Sequence, residues 1–169
     1  TSSTHREVLA DLAGGRLDYL DAGPDDASSV IVLDGYGSRL LGEMAAERSD
    51  HVGLRIISPD RPGYWSSARR SGSPLQAWPE ACVELLDHLG IEEASVVGSS
   101  AGCPLTFATA AALPARISRV AIVGPISPFA DANGMPDMHP AQRRSFQMAA
   151  RLPSVGGASM RVMGVVGRR

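Results

Sequence analysis

The sequence predicts an α/β protein, a mostly parallel sheet with helices on both faces. Two observations carry this. Val30-Ile31-Val32-Leu33, Leu54-Arg55-Ile56-Ile57 and Ala94-Ser95-Val96-Val97 are short, β-branched runs, each leading through a turn into a helical pattern. Runs of this kind suit strands buried on both faces, as parallel strands are. The third run leads directly into Gly98-Ser99-Ser100-Ala101-Gly102, a G-x-S-x-G segment with an Ala-rich helical stretch after it. That context makes Ser100 a candidate nucleophile on a sharp strand-to-helix turn.

The elements follow in order. Glu7 to Leu12 and Leu17 to Asp21 read as an antiparallel hairpin around Gly14-Gly15, and Pro24 to Ser29 as a polar loop. The first parallel strand ends in Asp34-Gly35-Tyr36-Gly37-Ser38-Arg39. A helix from about Arg39 to Arg48 is expected to lay Leu40, Leu41, Met44 and Ala45 on the sheet. The second parallel strand closes in Ser58-Pro59-Asp60-Arg61-Pro62-Gly63-Tyr64. Pro74 to Leu89 is then helical, with Trp78, Val83, Leu85, Leu86 and Leu89 at mostly helical spacing and Gly90 as its stop. After the elbow come a helix over Leu105 to Leu113 and a strand over Val120 to Val123; right-handed crossovers would make the sheet parallel. Beyond Pro125 the character changes to a Pro, Met, Asn and Gly cluster, a helical stretch from Ala141 to Leu152, and an apolar run, Met160 to Val166, that periodicity does not assign. The division expected is 1–125 for the core and 126–169 for a cap-like or tail segment.

The elbow has a chemical logic. A serine there is forced into a strained backbone conformation, and Gly98 and Gly102 leave room for neighbouring backbone to pass. The following helix turns its free N–H groups and positive dipole end toward the serine, where they would stabilise charge developing on a bound carbonyl oxygen.

Taken together, the strand and Asp34-Gly35 turn, the Asp60-Arg61-Pro62-Gly63 turn and the G-x-S-x-G elbow resemble the α/β-hydrolase family, of its esterase and iminopeptidase-like sort. The resemblance runs from about Gly15 to Pro125. It implies a serine hydrolase acting on an ester, amide or similar acyl bond of a small molecule through Ser100. The oxyanion donors would be the backbone N–H groups of Ala101 and Tyr36, with Gly35, Gly37 and Trp65 lining the substrate site. No cofactor is implied. Relatives with dehalogenase or epoxide hydrolase chemistry place Asp where Ser100 stands, which disfavours those reactions here.

The family's triad order is Ser, then Asp or Glu, then His, the last two on loops after late strands. Of four histidines, His5, His51 and His88 read as structural or exposed; His139 is the internal candidate base and Asp131 the candidate acid, with Asp137 weaker. At 169 residues the chain is short for a domain of this family. The expectation is therefore that base and acid come from outside it, and that a second polypeptide or a homodimer completes the sheet beside Val120 to Val123. The alternative is an inactive, fold-sharing protein that binds a ligand or partner in the same pocket.

Two departures from the family pattern stand out. Asp34 replaces a histidine, placing a negative charge near the oxyanion position unless Arg39 or Arg61 holds it away. Trp65 replaces a small residue and is read as core packing, or else as a wall of the acyl pocket.

Composition excludes other classes. The formal net charge is −2 with both signs interspersed, which argues against nucleic acid and anionic membrane surfaces. All basic residues besides histidine are arginine, a bias without functional meaning, and the pairs Arg69-Arg70, Arg143-Arg144 and Arg168-Arg169 read as solvated surface. No segment has the length of a membrane span or the layout of a signal peptide, so a cytoplasmic location is expected. Cys82 and Cys103 lack metal-ligand spacing and read as buried free thiols, Cys103 being the one to test for reactivity.

Overall fold

The computed structural model describes residues 5–35, 39–125 and 139–151. Strands β1 (Arg6–Leu12) and β2 (Gly15–Ala22) form the expected antiparallel hairpin, turning at Gly15 with a φ of 112° that suits glycine. β2 then pairs antiparallel with β4 (Leu54–Pro59). From there the ladder is parallel: β4 beside β3 (Ser28–Leu33), β3 beside β5 (Ala94–Ser99), β5 beside β6 (Ile117–Val123). The order β1-β2-β4-β3-β5-β6 places β5 between two parallel neighbours, with its carboxyl end carrying Ser100.

Side-chain alternation along β2 shows that both faces are covered. Leu17 and Tyr19 join the larger core with Trp78, Leu85 and Leu86 of α3 (Pro74–His88) and Leu105 of α4 (Cys103–Ala112). Leu20 and Ala22 point to the other face, where they meet Ala46 of α1 (Leu40–Ala46). α3 opens with a Ser73–Gln76 capping box and Pro74 at its first position, and Gly90 follows its end at a φ of 66°. The Trp78 indole N–H donates to Thr109 Oγ1 at 2.8 Å, which satisfies a buried polar group while joining α3 to α4.

Three expectations are corrected. The helix expected from about Arg39 to Arg48 forms as α1, with a separate short α2 (Ser49–Val52) after it, but α1 does not face the sheet through its large residues. Leu40 and Met44 are 62% and 46% exposed, while the buried positions are Gly42 and Ala46. A Cβ on Gly42 would overlap Ser58 of β4, so a glycine lets this helix lie close to the sheet. Arg70 is not solvated surface: its side chain is 8% exposed and pairs with Glu84, which also accepts the Gly14 N–H at 2.9 Å. Trp65 is half exposed and is not core packing.

The chain divides into two units, Thr1–Ile126 and Ser127–Arg169. In the second, the described element is α5 (Pro140–Arg151). The run Met160 to Val166 lies outside the described residues.

Candidate active site

The carboxyl ends of the parallel strands bring the motifs together. β3 and β5 are in register with Leu33 beside Gly98, so the Asp34-Gly35 turn meets the Ser99-Ser100 turn. Ser100 has a φ of 49°, in the left-handed region that costs a non-glycine residue of order 1–3 kcal/mol. It opens a 3-10 turn, Ser100–Gly102, that runs into α4. The flanking glycines are required sterically. A Cβ on Gly102 would overlap the Leu33 carbonyl, and one on Gly98 would overlap the Thr106 side chain. Thr106 is fully buried, with its hydroxyl donating to the Gly102 carbonyl at 3.1 Å.

Gly35 packs against the serine: a Cβ built on it would lie 3.4 Å from Ser100 Cβ and 3.8 Å from Oγ. Both polar groups of Gly35 have partners. Its N–H donates to Asp34 Oδ1 at 2.7 Å, and its carbonyl accepts from Arg61 Nη2 at 2.7 Å. The second Asp34 oxygen accepts the Leu41 N–H at 2.8 Å, in the first turn of α1. The Asp34 carboxylate thus bridges the loop to the next helix through backbone donors. Ala101 follows Ser100 in the 3-10 turn. Tyr36 and Gly37 lie outside the described residues, as does Asp131.

A buried charge cluster supports the neighbouring turn. Arg39 Nε donates to Asp60 Oδ1 at 3.0 Å, and its Nη2 also reaches Asp60 Oδ2 and Asp18 Oδ1. Hydrogen bonding to Asp60 holds the Arg39 guanidinium firmly protonated. Asp60 is 5% exposed, and its N–H donates to the Asp18 carbonyl at 2.8 Å, fixing the turn onto β2. Arg39 also sits 5.7 Å from the Trp65 ring centre, and Arg61 sits 4.5 Å from that of Tyr64. Trp65 has a φ of 46°, an unusual conformation for an aromatic residue. The Asp60-Arg61 turn is visible in the sequence as a motif, but the contacts that Arg39, Asp60, Arg61 and Thr106 make here are tertiary and no local pattern encodes them.

The histidines are distributed as follows. His51 lies in α2, just before β4 begins, and His88 ends α3 before β5 begins, so both stand at the end of the sheet opposite Ser100. His5 is exposed ahead of β1. His139 belongs to the second unit, is exposed, and accepts the Ala141 N–H on Nδ1 at 3.3 Å. A triad histidine uses Nδ1–H to contact its carboxylate, so Nδ1 is otherwise engaged here.

Cys82 and Cys103 are buried free thiols. Burial pushes the Cys82 thiol up to about 12, while Cys103 Sγ donates to the Gly98 carbonyl at 3.3 Å. Among the described residues no His, Cys, Asp and Glu grouping could hold a metal ion, and no helix is long and apolar enough to cross a membrane.

Residues 31–157 match the family described as alpha/beta hydrolase fold. The hydrolase YcgS of Bacillus subtilis (strain 168) is 32% identical over 109 residues, 64% of this chain and 38% of that protein. The 2-hydroxymuconate semialdehyde hydrolase of Pseudomonas putida is 33% identical over 123 residues, 72% of this chain and 43% of that protein. Among solved structures, haloalkane dehalogenase DbeA from Bradyrhizobium elkani USDA94 superposes with a TM-score of 0.71 at 26% identity, covering 92% of this chain and 53% of that one. The chain thus spans about two fifths of the length of those two curated relatives. With most of its length inside the family match and an elbow built as that fold builds it, the chain belongs to the α/β-hydrolase fold family.

Proposed function

We propose that this chain carries the nucleophile half of a serine hydrolase, cleaving an ester, amide or similar acyl bond of a small molecule through an acyl-enzyme on Ser100. The observation that carries the reading is the strained φ of 49° at Ser100, held between two glycines that admit no side chain. Strain of this kind persists where surrounding packing over-determines it, and here it aims the serine at the start of α4. A carbonyl carbon attacked by Ser100 Oγ would place its oxygen near the Ala101 N–H and the N–H following Gly35. The serine proton passes to a histidine base and then to the leaving group; water attack on the ester reverses the sequence and frees the serine. Relatives named as hydrolases of 2-hydroxymuconate semialdehyde and of 2-hydroxy-6-oxononadienedioate keep company with a carbonyl substrate.

In this reading the base and acid come from polypeptide other than these 169 residues. The test is hydrolysis of a p-nitrophenyl ester. Loss of the base alone costs on the order of a million-fold in turnover in serine-protease triads, so the 169-residue chain should be nearly inert. The complete natural polypeptide should be active and lose that activity in Ser100→Ala. Robust, Ser100-dependent turnover by the 169-residue chain would show that a base is already present, and His139→Ala would identify it.

A second reading is a catalytically inactive, fold-sharing protein that binds a ligand or partner in this pocket. The position of His51 and His88 at the far end of the sheet favours it. A complete polypeptide that binds acyl compounds without turning them over would support it.

A further inference from the structure

We infer, resting on the serine-hydrolase reading of Ser100, that Thr106 is a positioning residue for the nucleophile. Its buried hydroxyl braces Gly98 and Gly102, the two glycines that hold Ser100 in its strained conformation.

Ser100 keeps a φ of 49° only because the backbone on both sides of it is fixed. Before it, Gly98 is held in β5 between Leu33 of β3 and Ile122 of β6, and its carbonyl accepts the Cys103 thiol at 3.3 Å. After it, the Ser100 carbonyl accepts the Cys103 N–H, which closes the 3-10 turn. Because a trans peptide sets its two groups antiparallel, that bond also turns the Ala101 N–H the other way, out of the start of the helix. The aim of the serine and of this N–H therefore depends on how the first turn of α4 sits on the end of β5.

Thr106 sets that seating. Its side chain is fully buried, its hydroxyl donates to the Gly102 carbonyl at 3.1 Å, and the same oxygen stands where a Gly98 side chain would begin. A Cβ on Gly98 would also lie 2.9 Å from Thr106 Cβ and 3.1 Å from Cys103 Cα, so helix meets strand here with nothing between them. One oxygen thus abuts the residue two before Ser100 and bonds the residue two after it. A threonine hydroxyl bonded to the carbonyl four residues earlier occurs in many helices, and Thr109 makes such a bond to Leu105 at 2.7 Å. The Thr109 hydroxyl, however, meets Trp78 of α3 on its other side, whereas the Thr106 hydroxyl meets the strand that carries the nucleophile. A methyl in place of the Thr106 hydroxyl would be larger against Gly98 and could not bond Gly102.

The experiment compares wild type, Thr106→Val, Thr106→Ala, Thr106→Ser, Thr109→Val and Ser100→Ala in the complete natural polypeptide. kcat and KM for a p-nitrophenyl ester are measured well below each variant's melting temperature. Expected is a fall in kcat of about 10–100-fold in Thr106→Val and Thr106→Ala with KM nearly unchanged, since misplacement by about 1 Å can cost on the order of a hundredfold. Thr106→Ser keeps the hydroxyl and should hold most of the rate. Thr109→Val should lose stability and keep its kcat, which separates positioning from a general weakening of α4. Should Thr106→Val not fold, Thr106→Ala reads the same loss. A wild-type kcat in Thr106→Ala, a rise in KM with kcat preserved, a Thr106→Ser as slow as Thr106→Ala, or an equal fall in Thr109→Val overturns the inference while leaving the role of Ser100 intact. Turnover that survives Ser100→Ala, or a wild type without turnover, overturns the serine-hydrolase reading, and the inference falls with it.

Discussion

Gly102 lies so close to Leu33 that no side chain can stand between them: a Cβ on the glycine would overlap the Leu33 carbonyl oxygen. This contact brings the end of the Ser100–Gly102 turn against the end of β3, the strand that leads into the Asp34-Gly35 loop. The obstacle is backbone and cannot swing aside. Gly102→Ala should therefore destabilise the fold by at least the roughly 1–3 kcal/mol typical of overpacking, measured by urea denaturation. Gly98→Ala meets the Thr106 side chain instead, and Thr106→Ala in that background should recover part of the loss. A Gly102→Ala protein as stable as wild type contradicts this packing.

The buried bond from Trp78 Nε1 to Thr109 Oγ1 supports a separate expectation. Thr109→Val keeps the shape and removes the acceptor, leaving a buried indole N–H without its partner. A loss of about 1–3 kcal/mol is expected. A neutral effect in denaturant titration would mean that the indole finds another acceptor.

How much of this was legible in the sequence depends on how local each signal is. The strands are legible because burial on both faces writes continuous β-branched runs, and Ser100 because its strain demands glycines two residues to either side. The buried face of α1 was not, because it consists of Gly42 and Ala46, while the conspicuous Leu40 and Met44 face outward. Trp65 is illegible in the same way: a tryptophan suggests core, and nothing in its residue type announces a φ of 46° or a half-exposed ring. From the sequence, Arg39 and Arg61 are both candidate partners for Asp34. They bind Asp60 and the Gly35 carbonyl, a pairing fixed by how two turns from separate strands meet.

Stability should fall at acid pH in part through Glu84. Hydrogen bonding from Arg70, aided by the Gly14 N–H, holds its carboxyl below the usual value of 4.5 in the folded state. A depressed folded pKa contributes stability that is present above the unfolded value and is lost as pH falls through the folded one. Glu84→Gln should therefore be less stable than wild type at pH 7, and the gap should close below about pH 4. A gap that stays constant between pH 7 and pH 3 rules this contribution out.

The edge strand gives a prediction about assembly. Among the described residues β6 pairs only with β5, and Val120 and Val123 are 46% and 52% exposed. Such an edge invites pairing. Light scattering with hydrogen exchange should find the Val120 to Val123 amides protected, through a second polypeptide, a second copy or a refolded tail. A stable monomer in which these amides exchange rapidly contradicts all three.

The central claim is that Ser100 is an activated nucleophile at the end of β5, and covalent labelling tests it most directly. The complete natural polypeptide is treated with a fluorophosphonate probe, digested, and read by mass spectrometry. The account predicts a single stoichiometric adduct on Ser100, absent in Ser100→Ala. An adduct on another residue, or a folded protein that the probe leaves unmodified, would contradict it.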